Sequence, residues 1–150
     1  MIKVNEFVIG GKQGFIRIEI IEVIGFPNET SFKGGYEVKG KIDIKCGNYF
    51  VKDAELWFST GQIYEFFIEL QKCYRQLNGI VNFAPESNLK FEMYFNKLGQ
   101  VTIQGYFQEL LSEENILHFE FESEQSYLFS TLEELQKIAV HYGGLEGIKK

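Results

Sequence analysis

The segment YEVKGKIDIK, residues 36–45, alternates apolar and polar side chains over nearly its whole length. Val38, Ile42 and Ile44 fall in one phase, and Glu37, Lys39, Lys41, Asp43 and Lys45 fall in the other. Successive side chains of an extended chain point to opposite faces. The pattern therefore predicts a strand with one face on a core and the other in water, the condition of an antiparallel sheet. FIRIEI repeats it, with Ile16, Ile18 and Ile20 against Arg17 and Glu19. LKFEMYF places Leu89, Phe91, Met93 and Phe95 on one face. NKLG turns the chain, and VTIQGYF returns with Val101, Ile103, Gly105 and Phe107, which predicts a hairpin. DAELWFS reads as a further strand, and so does LHFEF, with Leu117, Phe119 and Phe121 inward.

Two helices interrupt the strands. Ser59 and Gln62 form a capping box. After it, Ile63, Phe66, Phe67, Leu70, Cys73, Tyr74 and Leu77 recur at three- and four-residue steps until Asn78-Gly79, which predicts a helix over about residues 60–77. Cys73 lies on that stripe and reads as a small core hydrophobe. A second helix is expected over about 131–142, capped by Ser130 with Glu133 and ended by Gly143-Gly144. It would bury Leu132, Leu135, Ile138, Ala139 and Tyr142. The order of strands, helix, strands and helix, joined by short turns, places the chain in the α+β class. The expected architecture is a curved antiparallel β-sheet of about six to eight strands with two α-helices on its apolar face, forming a single domain over 1–150.

With 45% hydrophobic residues, including 15 Phe and 8 Tyr, the chain has the means to bury a core, so disorder is excluded. No run approaches the roughly 20 apolar residues of a membrane helix. MIKVNEFVIGGKQG lacks the apolar stretch of a signal peptide. A soluble, cytoplasmic protein is expected, with Cys46 and Cys73 as thiols.

The residue types that carry catalysis are sparse. GYEVKGKI, from Gly35, nearly matches a phosphate-binding loop, but Ile42 stands where a magnesium-binding hydroxyl is needed and the segment is itself a strand. His118 and His141 are the only histidines, and no serine sits in a nucleophile elbow. His141 falls at a helix end, where an imidazolium meets the favourable end of the dipole. No catalytic residue, cofactor or metal ligand is assigned.

Charge is distributed more tellingly. The net charge is −6, yet residues 98–136 hold eight of the 21 acidic residues and no Lys or Arg. The rest of the chain carries 13 acidic against all 15 basic residues. Phosphates would be repelled by this acidic span, which disfavours nucleic acid as a partner and favours a basic protein surface. Within the span, His118, Glu120, Glu122 and Glu124 fall on one face of a strand. Residues two apart on a strand lie about 6.5–7 Å apart, whereas zinc needs about four ligands within roughly 2 Å. Phe119 and Phe121 need the core, which turns the row to water. A solvated sheet face ranks first among its uses, a docking face for a basic partner second, and a metal or acid–base site last. A separate alternative is a β-rich carrier enclosing a small apolar ligand among its phenylalanines.

Three segments, GKIDIKCGNYFVKDAELWFSTGQIYEF, NKLGQVTIQGYFQE and LHFEFESEQSYLFSTLEELQKI, resemble small bacterial immunity proteins of the WapI family. The resemblance covers residues 36–148, and the first 35 residues carry little of it. It implies a cytoplasmic, non-catalytic protein of contact-dependent inhibition that binds and blocks a cognate toxin domain. Such toxins are often nucleases with basic surfaces. No partner-binding residue is carried over by the resemblance. The acidic span itself nominates Glu113, Glu114, Glu120, Glu122 and Glu124 as the contact face.

Overall fold

The computed structural model describes residues 5–148. The first four residues, where the segment read for a leader begins, and the last two lie outside the described residues. The described chain is α+β, with eight strands and two helices. Strands β1 (Glu6–Gly10), β2 (Gly14–Ile24), β3 (Glu37–Cys46) and β4 (Tyr49–Ser59) form an antiparallel sheet in chain order, followed by α1 (Thr60–Gln76). Strands β5 (Gly79–Glu86), β6 (Leu89–Phe95), β7 (Gln100–Phe107) and β8 (Leu117–Glu124) form a second such sheet, followed by α2 (Gln125–Tyr142). The count lies at the upper end of the expected range, and the strands divide between two sheets. The division falls at α1, which separates β4 from β5 in the chain.

Both sheets and both helices contribute to one hydrophobic cluster. The alternating residues of the predicted hairpin behave as their periodicity requires. Leu89, Phe91, Met93, Phe95, Val101, Ile103 and Phe107 are all buried, and Phe119 and Phe121 join them from β8. Phe66 of α1 stands where the sheets meet. Its ring lies 5.9 Å from Phe7 of the first sheet, and 5.2 Å and 5.9 Å from Phe83 and Phe91 of the second. These phenylalanines pack on one another, and the sheets do not close into a barrel.

The capping box of α1 is present. Gln62 N–H donates to Ser59 Oγ at 3.1 Å, and Ser59 N–H donates to Gln62 Oε1 at 2.9 Å. Leu77 closes the helix in the left-handed region at φ 51°. Cys73 is buried, and burial raises its thiol pKa, as suits a core side chain.

The second helix departs from expectation. It begins at Gln125, not 131, and Ser130 does not cap it: its hydroxyl donates to the Tyr127 carbonyl from within the helix. Leu128 is buried together with Thr131, Leu135 and Ile138, so the apolar stripe begins upstream of Ser130, a turn before Leu132. The chain passes from β8 straight into α2 at Glu124, which makes no side-chain cap bond.

Asp43 is the other correction. Expected on the wet face of β3, it is only 6% exposed. The β3–β4 register shifts between Ile42 and Ile44, leaving a bulge in β4 with Asp53 at φ 55°. Asp43 accepts a hydrogen bond from Asp53 N–H at 2.7 Å and from Arg17 Nη2 at 2.6 Å. The carboxylate keeps to the outer face beside Arg17, its register partner, and is covered there because the bulge brings the Asp53 N–H over it.

Helix α2 also covers the outer edge of the first sheet. Thr131 Oγ1 donates to the Val8 carbonyl at 2.6 Å, and Val8 N–H donates to Glu134 Oε1 at 3.0 Å. Two side chains one helical turn apart thus occupy an edge that would otherwise template another strand. Burial raises the Glu134 pKa above the usual carboxylate range; the Val8 N–H opposes this, and nearby Glu6 and Glu133 reinforce it against Lys137. A raised carboxyl pKa favours the folded state below the ordinary carboxylate range, and this contribution is lost as pH rises through the folded value. Glu134→Gln keeps an acceptor for Val8 and never ionises. Its stability relative to the wild type, from urea unfolding at several pH values, is expected to rise as pH climbs from the ordinary carboxylate range through the folded-state value and then to level off. A difference independent of pH would refute the assignment.

Candidate functional site

Strand β8 carries the acidic row and forms one edge of the second sheet. His118, Glu120 and Glu122 are exposed, while Phe119, Phe121 and Ser123 are buried between them. Pairing with β7 sets His118 beside Tyr106, Glu120 beside Gln104 and Glu122 beside Thr102. One strand further, Glu92 and Tyr94 of β6 continue the Gln104 and Thr102 rows. The outward face is thus a polar network. Tyr94 donates its hydroxyl hydrogen to Glu92 at 3.1 Å and accepts from Gln104 at 3.2 Å, and the Thr102 hydroxyl reaches both Glu122 oxygens at 3.1–3.2 Å. The Tyr94 phenol pKa is raised, first by desolvation and then by the Glu92 carboxylate.

The nominated residues do not all share this face. Glu120, Glu122 and Glu124 alternate onto it, Glu124 opposite Gln100. Glu124 sits at the junction with α2, where its carboxylate accepts from Ser126 Oγ at 3.0 Å. Glu113 and Glu114 are exposed in the loop over 108–116, at the opposite end of β8. Glu92, which the sequence reasoning missed, shares the Gln104 row with Glu120 across the sheet. Its place in the alternation of β6 showed that it faces water, but only strand pairing gives its neighbours. Among the described residues, no three His, Cys, Asp or Glu side chains are grouped to hold a metal ion. His118 lies 6.1 Å, ring to ring, from Tyr106, which donates to the Ser87 carbonyl.

The free edge of β8 meets the hairpin tips of the first sheet. Lys12 N–H donates to the Glu122 carbonyl at 2.9 Å, and Cys46 Sγ–H donates to the Glu120 carbonyl at 3.0 Å. Gly47 N–H donates to the Gln13 carbonyl at 2.9 Å and ties the two tips together. A Cβ on Gly11 would stand 2.4 Å from the Glu122 carbonyl oxygen and 2.7 Å from the Phe121 ring, so this approach requires glycine. Two open concavities flank the junction. One, of about 550 Å³, lies between Phe50, Lys52 and Ala54 of β4 and Glu109, Glu114 and Leu117. The other, of about 600 Å³, lies between Lys12, Cys46 and Tyr49 and the Glu120–Glu122 segment. No described helix is long and apolar enough to cross a membrane.

Residues 7–143 match the model of a family described as the immunity protein WapI-like family. The match reaches into β1, so it includes the amino-terminal hairpin that the three resembling segments leave out. No match to a curated protein or to a solved structure was found.

Proposed function

The chain belongs to the immunity protein WapI-like family, and we propose that it binds the cognate toxin domain of a contact-dependent system in the cytoplasm. It neutralises the toxin by occlusion, without catalysis. The observation that carries this reading is the family match over most of the chain. The acidic span supports it, because a nuclease toxin that grips nucleic acid has a basic surface, and carboxylates steer and select such a surface. The contact residues of this reading are Glu113, Glu114, Glu120, Glu122 and Glu124.

Reversing Glu120, Glu122 and Glu124 to lysine is expected to slow association by about tenfold at low ionic strength and to flatten its salt dependence, since long-range attraction is the part that salt screens. The measurement is stopped-flow binding to the cognate toxin domain, identified as one whose expression kills cells unless this chain is co-expressed, alongside protection of those cells. Unchanged association and protection would remove these three residues from the interface.

A further inference from the structure

Charge steers a partner, whereas most affinity comes from apolar and aromatic anchors that become buried. The outward face of β6–β8 carries Tyr94 and Tyr106 only half-exposed, and its Glu92 carboxylate already accepts a hydrogen bond from Tyr94. The seam between the β3–β4 hairpin tip and β8 differs. Tyr49 is 70% exposed and Phe50 54% exposed, with the Phe50 ring propped edge-on against Phe15 at 6.1 Å. Phe50 lines the concavity that holds Glu109 and Glu114, and Tyr49 lines the one that holds Glu120 and Glu122. Exposed Leu110, Leu111 and Ile116 extend the apolar surface along the adjoining loop. The first lobe sets Glu109 and Glu114 against Lys52, and the second sets Glu120, with Glu122 held by Thr102, beside Lys12.

We propose that the toxin docks in this two-lobed cleft, which takes a basic protein segment with lysine or arginine side chains in the lobes and their aliphatic stems against Phe50 and Tyr49. The inference rests on the reading of the chain as a toxin-binding protein and specifies where that binding occurs. It also places Glu114 and the Glu120–Glu122 pair, which the sheet face does not unite, along a single partner. A partner of this chemistry matches the cleft in both respects, since a cation answers the carboxylates and an apolar stem covers the rings. The mixed charge of each lobe further disfavours a purely cationic partner without apolar stems.

The test compares exposed substitutions at the two candidate locations. Tyr49→Ala, Phe50→Ala and Glu114→Lys alter the cleft, and Glu92→Lys with Gln104→Lys alters the outward face. Each variant is titrated calorimetrically against the toxin domain from which this chain protects cells, with circular dichroism checking the fold. At least two of the three cleft variants are expected to weaken binding tenfold or more, with the outward-face variant within threefold of the wild type. Cleft variants within threefold of the wild type would overturn the inference while leaving the toxin reading intact. Failure of the wild-type chain to bind the domain would overturn both. Glu114→Lys keeps the test valid should removal of Phe50 loosen the hairpin.

Discussion

Phe66→Ala is expected to lower the unfolding free energy by about 3–5 kcal/mol, the usual cost of truncating a buried phenylalanine. Against a total of about 5–15 kcal/mol for a natural domain, that is a large fraction of the stability. The value should lie toward the upper end because of where the ring sits. Phe66 touches Phe7 on one sheet and Phe83 and Phe91 on the other, so a cavity there has walls from three elements. The walls belong to two hydrogen-bonded sheets, with Phe83 and Phe91 directly paired in one of them, and a rigid wall collapses poorly into a void. Phe66→Leu keeps most of the volume and should cost well under half as much. Urea unfolding checks both, with exposed Val140→Ala, expected within about 0.5 kcal/mol of the wild type, as the control. A cost below about 1.5 kcal/mol for Phe66→Ala would mean that the sheets do not pack through this ring.

The second large effect is expected at Asp43. Asp43→Ala removes the acceptor for Asp53 N–H and the partner of Arg17, and should cost about 2–3 kcal/mol. Most of that loss comes from the bulge, because Arg17 is partly exposed and water can solvate its guanidinium. The strained Asp53 backbone loses the bond that holds it in the left-handed region. Asp43→Asn keeps an acceptor oxygen and should recover more than half of the loss. Hydrogen exchange at Asp53 would report the local change, with protection lost in the alanine variant and largely kept in the asparagine variant. Equal destabilisation by both would place the effect in the ion pair and not in the bulge.

Residue patterns revealed much of the fold. Alternation placed Phe91, Met93, Val101, Ile103, Phe119 and Phe121 inward, because a pleated strand repeats every two residues whatever it packs against. Ser59 and Gln62 marked the start of α1, since a capping box lies within four residues and needs no tertiary partner. At α2 the same signal misled, because Ser130 and Glu133 have the spacing of a cap but lie inside the helix. Its first turn follows β8 without a capping side chain, so only the burial of Leu128 against the rest of the core fixes where it begins. The burial of Asp43 escaped the alternation for a related reason. A bulge on the neighbouring strand covered a position that keeps to the outer face, and the donors that satisfy it lie 10 and 26 residues away.

The candidate site follows the same rule. That Glu120 and Glu122 face water was legible, because Phe119 and Phe121 claim the other face of β8. Their neighbours were not. Cys46 and Glu120 are 74 residues apart in the chain, and only the docking of one sheet's hairpin tips on the edge of the other brings Tyr49 and Phe50 alongside the carboxylates. The sequence by itself determined the class, most of the elements and the acidic span, because periodicity, capping and charge are local properties of the chain. The division into two sheets, the bulge at Asp43 and the cleft beside β8 were decided by tertiary structure, because each depends on which distant segments share a boundary once the apolar faces have been buried.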